Sequence, residues 1–176
     1  MKTSVALLRG VNVGGHQIGM AGLADLFREA GCEDVKTYLR SGNVVFRHTK
    51  ADKALIADLE KRMKAEYGFA VPVILRHEDE WQAVIDANPY PTDDPTKVHV
   101  VFLDRKPPAK ALDHVDRTKF EPEAFTLIGR ELYLHLPNGM GRSKLPQAVD
   151  IKGVVGTARN WRSVTKLAEL AQSLRR

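Results

Sequence analysis

The chain has 176 residues, with 27 Lys and Arg against 22 Asp and Glu, and a single cysteine. That length buries one core of good size, or two small ones. Cys32 alone excludes a disulfide scaffold and points to a reducing compartment. No apolar run approaches a membrane span, and Arg9 cuts the N-terminal run short of a signal-peptide core, so the cytoplasm is the expected location.

The net charge of +5 is unevenly spread: residues 130–176 carry 9 Lys or Arg against 3 Asp or Glu, leaving 18 against 19 for the rest. A local basic excess suits an anionic ligand or partner, and it suits a solvated basic surface equally well.

Residues 3–9 read as a strand apolar on both parities, with Val5 and Leu7 on one face and Ala6 and Leu8 on the other. A strand covered on both sides carries that pattern. Met20, Leu23, Ala24, Phe27 and Ala30 follow at helical spacing, with Gly31 as the stop. Residues 35–40 and 43–47 form two further strands around a Ser41-Gly42 turn. Leu55, Leu59, Met63 and Tyr67 mark a second helix, capped by Thr49 or Asp52 and ended by Gly68, before a strand at 71–76. The order β-α-β-β-α-β is that of a ferredoxin-like unit.

A connecting helix over 78–88 leads into residues 88–96, N-P-Y-P-T-D-D-P-T, whose three prolines forbid regular structure. Beyond it come a strand at 98–103, a short helix at 108–115, a hairpin of 125–128 with 131–136, and a last helix over about 160–174. The expected fold is therefore α+β, with two ferredoxin-like (βαββ-type) repeats packed together, either as separate halves (1–88 and 97–176) or interleaved around one core.

The loop R-G-V-N-V-G-G at 9–15 is the first candidate site. A dinucleotide fingerprint needs glycine where Asn12 stands, and a phosphate-binding P-loop needs Lys and Ser or Thr where His16 and Gln17 stand. Both motifs are excluded. What remains is a backbone anion nest at Gly14 and Gly15, flanked by Arg9 and Asn12, or a plain tight turn. Arg40, Ser41, Gly42 and Asn43 form a polar hairpin turn.

The second candidate joins Arg142, Ser143 and Lys144 to the stretch from Gly156 to Lys166. Thr157 or Asn160 caps the final helix, and on that helix Arg159, Arg162 and Lys166 fall within about 60° of one another. Cations in a first helical turn oppose the macrodipole by about 0.3–1 kcal/mol each, a sign that a bound anion reverses.

No metal site and no cofactor is expected, because the six histidines show no ligand spacing. No nucleophile elbow, paired-carboxylate frame or Cys-His frame is readable. The candidate strands lack the ring pairs of an RRM, which argues against base stacking and leaves backbone-only contact with nucleic acid.

Four segments, A-L-L-R-G-V-N-V-G-G, Y-L-R-S-G-N-V-V-F, G-R-S-K-L and G-T-A-R-N-W-R-S-V-T-K-L, together resemble the bacterial family known as domain of unknown function 1697. The resemblance implies a fold of two βαββ-type repeats. It draws attention to Arg9, Asn12, Gly14, Gly15, Ser41, Gly42, Asn43, Arg142, Ser143, Lys144, Arg159, Asn160 and Trp161, and supplies no catalytic role for any of them.

The expected function is binding of a small anionic, phosphate-bearing ligand. Arg142, Lys144, Arg159 and Arg162 supply charge, Asn12, Asn43 and Asn160 orienting hydrogen bonds, and Gly14 and Gly15 close backbone approach, with Arg9, Arg40, Ser41 and Ser143 as further ligand-binding residues. One alternative is a transferase or hydrolase acting on that ligand with His16 as base. The other is an interaction module docking a nucleic-acid backbone or an acidic protein. No membrane partner is expected.

Overall fold

The computed structural model describes residues 1–175; the final residue of the expected second half, Arg176, lies outside them. The fold is α+β, with two four-stranded antiparallel sheets. The chain divides into two compact units, one of Met1–Ala83 with the chain from Lys166 onward, the other of Val84–Thr165. The divisions fall inside the third and fifth helices. Among the described residues no helix is long and apolar enough to cross a membrane.

The first unit runs β1 (Lys2–Leu8), α1 (Met20–Glu29), β2 (Glu33–Tyr38), β3 (Asn43–His48), α2 (Asp52–Tyr67), β4 (Val73–His77) and the start of α3 (Glu78–Asp86). Its sheet order is β2-β3-β1-β4. The two-faced apolar pattern of β1 has its expected consequence, since Val5, Ala6, Leu7 and Leu8 are all buried. Ala6, Leu8, Val44 and Phe46 pack on Leu23, Phe27, Leu55, Leu59 and Met63 from the two helices. Phe27 meets Phe46 edge-on at 5.1 Å between ring centres, a favoured aromatic geometry. Strand β2 sits at the edge and carries no fully buried residue.

One local expectation changes. Neither Thr49 nor Asp52 caps α2, because Ala51 occupies the cap position with no side-chain bond and Asp52 is the first helical residue. Gly68 ends that helix as expected, at φ +81°.

The second unit contains β5 (Val98–Leu103), a 3₁₀ turn (Arg117–Lys119), β6 (Ala124–Ile128), β7 (Glu131–His135), the short α4 (Leu145–Ala148), β8 (Gly156–Asn160) and the start of α5 (Trp161–Gln172). The sheet order, β6-β7-β5-β8, repeats that of the first unit position for position. Phe125, Leu132, Leu134, Leu136, Leu145 and Val149 gather into one apolar cluster.

The helix expected over 108–115 is absent. Ala111, Asp113 and Val115 donate to carbonyls three residues back, at Pro108, Lys110 and Leu112, so the segment is a series of turns. Strand β8 stands where the expected reading had the approach to a helix. It pairs with β5 from His99 opposite Asn160 to Leu103 opposite Gly156. Its buried side chains are Thr157, Arg159 and no apolar residue larger than alanine, which is why hydrophobic alternation could not announce it.

Candidate functional site

The first-unit candidates come together. The β1–α1 loop and the β2–β3 turn lie side by side: Leu8 N donates to Gly42 O at 2.9 Å, and the Asn12 side-chain amide donates to the Arg40 carbonyl. Asn12 also accepts from Ile18 N at 2.8 Å, so both ends of its side chain shape the loop. Arg40 Nη2 reaches Gln17 Oε1 at 3.2 Å. Asn43 is fully buried, donating to Tyr38 O and to Ser41 Oγ. These asparagines act on the protein's own backbone.

Gly10, Asn12, Gly14 and Gly15 all have positive φ, between +55° and +90°, which turns successive amides toward one side. Among the described residues, the amides of Val13, Gly14 and Gly15 donate to no group of the chain. They lie in an exposed loop with Arg9 exposed at its start. Helix α1 then begins at Met20 with no side-chain cap and no acidic residue in its first turn. His16, the candidate base, stacks flat on Phe69 at 4.2 Å and 11°.

In the second unit, Asn160 Oδ1 accepts from Ser163 N at 2.9 Å and so caps α5; Thr157 does not. Arg159 is not on that helix. It belongs to β8, is only 7% exposed, and donates through Nη1 to Thr157 Oγ1 at 2.7 Å and Ala158 O at 2.8 Å. Burial pushes its guanidinium down to about 10. The helical stripe of cations therefore shrinks to Arg162 and Lys166, the latter paired with Glu169 at 3.0 Å. Ser143 Oγ accepts from Leu145 N at 3.1 Å at the head of α4, while Arg142 is exposed and Lys144 occupies the cap position of that helix.

A groove of about 700 Å³ in the second unit is lined by Lys106, Leu112, Arg117, Phe125, Leu127 and neighbours, none of them an expected ligand residue. Its central cation is occupied: Arg117 lies 3.8 Å over the Phe125 ring and donates to the Phe125 carbonyl at 2.6 Å.

Sequence reasoning missed a buried polar chain in the first unit. His48 Nδ1 lies 3.1 Å from Lys50 O, and His48 Nε2 lies 2.9 Å from Ser4 Oγ. Ser4 Oγ in turn meets His77 Nδ1 at 2.9 Å, and His77 Nε2 meets Asp52 Oδ2 at 2.8 Å. Burial holds the His48 imidazole below its usual range, against the Lys50 carbonyl bond that favours its protonation. The connectivity is that of a Ser-His-Asp relay, yet Ser4 is 0% exposed and no substrate carbonyl can reach it. Linear spacing hides the group, because His48 closes β3, Asp52 opens α2 and His77 closes β4.

The family model described as Protein of unknown function (DUF1697) matches residues 1–133. The match takes in both first-unit motifs and ends before those of Arg142 and Arg159. No curated protein matches the chain. A solved structure, that of the conserved bacterial protein SP0830 from Streptococcus pneumoniae, is similar at a TM-score of 0.74 and 20% identity, covering 98% of this chain and 99% of that one. This is a likeness of fold.

Proposed function

The chain belongs to the family described as Protein of unknown function (DUF1697), and we propose that it binds an anionic, phosphate-bearing ligand at the β1–α1 loop beside the β2–β3 turn. The observation that carries this reading is the run of three uncommitted amides at Val13, Gly14 and Gly15, in a loop braced by Asn12 and flanked by two arginines. Water can accept from such exposed amides, and a phosphate oxygen that replaces it offers charge and geometry together. Arg9 and Arg40 add the cations, and the uncapped start of α1 adds the positive end of a helix dipole.

The same reading includes a finer account of the fold. Each unit is a ferredoxin-like βαββαβ repeat, complete in the first and reduced in the second, where turns and the four-residue α4 replace the crossover helices. The repeated strand order supports it.

Thermal unfolding with inorganic phosphate, pyrophosphate and nucleotides tests the binding. A ligand at a hundredfold over its Kd stabilises by about 2.7 kcal/mol, and that gain disappears in an Arg9→Ala/Arg40→Ala double variant. A full response in the double variant, or none in the native chain, overturns the reading.

A further inference from the structure

We propose that His48, Asp52 and His77 form a binding site for one divalent transition-metal ion of the zinc class, held inside the first unit. One ring nitrogen from each histidine and one carboxylate oxygen already lie within 4.8 Å of one another. A tetrahedral ion with ligands at about 2.0–2.2 Å spaces them at about 3.3 Å, so a pair as wide as 4.8 Å closes by about 1.5 Å while the 2.8 Å His77–Asp52 pair opens slightly. Asp52 has that freedom, being the first residue of α2 with its side chain 43% exposed.

Each ring has an outer partner on Nδ1, although His48 Nε2 also meets the Ser4 hydroxyl at 2.9 Å, a bond that an entering ion displaces. A carbonyl only accepts, so the 3.1 Å contact with Lys50 O puts the proton of His48 on Nδ1 and leaves Nε2 with its lone pair. The His77 ring turns Nδ1 to the Ser4 hydroxyl and Nε2 to Asp52. Metal-binding histidines have just such an outer partner, a carbonyl or hydroxyl on the nitrogen away from the ion, which fixes tautomer and ring plane. The 2.8 Å contact between His77 Nε2 and Asp52 Oδ2 is closed by a ring proton, and an entering ion takes the place of that proton. An ion there serves both at once.

A second observation concerns the other carboxylate oxygen. Asp52 Oδ1 is buried with no hydrogen-bond partner, and the Lys2 ammonium stands 3.9 Å away. Lys2 is 60% exposed and free to swing into solvent as an ion enters. Two imidazoles and one carboxylate suit zinc, cobalt or nickel better than magnesium or calcium, which favour all-oxygen shells. Three protein ligands leave a fourth position, on the Asp52 side, for water.

The test uses the full chain without an affinity tag, stripped with a chelator and titrated with Co(II). Tetrahedral binding gives intense visible d–d bands that saturate at one ion per chain and bleach on adding Zn(II). His77→Gln and Asp52→Asn weaken the Co(II) affinity by more than about tenfold, whereas Lys2→Ala leaves it equal or tighter. Asp52→Asn sits at a half-exposed helix start and remains informative if His77→Gln fails to fold. Absence of saturable d–d bands in the native chain, or an unchanged affinity in Asp52→Asn, overturns the proposal. The outcome is independent of phosphate binding at the β1–α1 loop.

Discussion

The side-chain amide of Asn12 donates to the main-chain carbonyl of Arg40, tying the loop after the central strand to the turn between the next two. Since Asn12 Oδ1 also takes the Ile18 amide, one side chain sets both the path of the loop and its distance from the turn. Asn12 has φ +55°, a conformation that asparagine tolerates better than most residues. Asn12→Ala removes both bonds and adds backbone strain. The expected loss is about 1–2 kcal/mol in urea unfolding, together with a weaker thermal response to phosphate. An unchanged midpoint shows that the brace is dispensable.

Gly42 tests how closely that turn approaches the core. A Cβ there would stand 2.6 Å from Val11 Cγ2 and 2.8 Å from Leu8 Cβ, at φ +83°. Strain and overpacking act in the same direction, so Gly42→Ala costs about 2–4 kcal/mol. Gly10→Ala shares the positive φ but meets nothing within 4 Å, and loses only the strain term. Comparing the two denaturation midpoints separates crowding from conformation.

These two residues also mark what the sequence makes legible. Strands β1 and β5, helices α1 and α2, and the caps at Gly68 and Asn160 follow from apolar spacing and turn chemistry. The meeting of Asn12 with Arg40 does not, because loop-to-turn contacts carry no periodic signal. Strand β8 escapes for the opposite reason. Its inward positions hold Thr157 and Arg159, so a buried strand wears the composition of a polar loop. The Ser4–His77 chain is invisible for want of local spacing, each member coming from a different element.

His99 predicts the pH dependence of the second unit. Burial lowers its imidazole below the usual range, and its Nδ1 has no hydrogen-bond partner. The unfolded chain then takes up a proton near pH 6.5 before the folded one does. Stability is therefore full above that pH and falls as the solution is acidified below it. The Asp94 and Asp104 carboxylates of the same unit titrate below their ordinary range and act in a more acidic window. His99→Leu should flatten the decline between about pH 7 and 5, measured as unfolding free energy at each pH. An identical slope in the variant assigns the decline to other groups.

Cys32 should be chemically silent in the folded chain. It is 4% exposed, and burial raises its thiol to about 11, with Lys50 pulling the other way. Thiolate is the reacting species, so Ellman's reagent at pH 8 should label the native protein slowly and the urea-unfolded protein at once. Rapid native labelling means that the α1–β2 junction opens.

Arg159 decides whether the C-terminal basic excess belongs to a ligand site or to the fold. Its guanidinium is buried in β8, bonded to Thr157 Oγ1 and the Ala158 carbonyl, and held down to about 10 by desolvation. Its named partners are neutral acceptors, and leaving such buried groups unpaired costs about 1–3 kcal/mol. Arg159→Ala should thus destabilise the second unit, while the folded fraction keeps its full thermal response to phosphate. Arg142→Ala, at an exposed position, should leave stability within about 0.5 kcal/mol of the native chain. The reverse pattern, a stable Arg159→Ala chain that has lost the phosphate response, would make Arg159 a ligand-binding residue and move the site to β8.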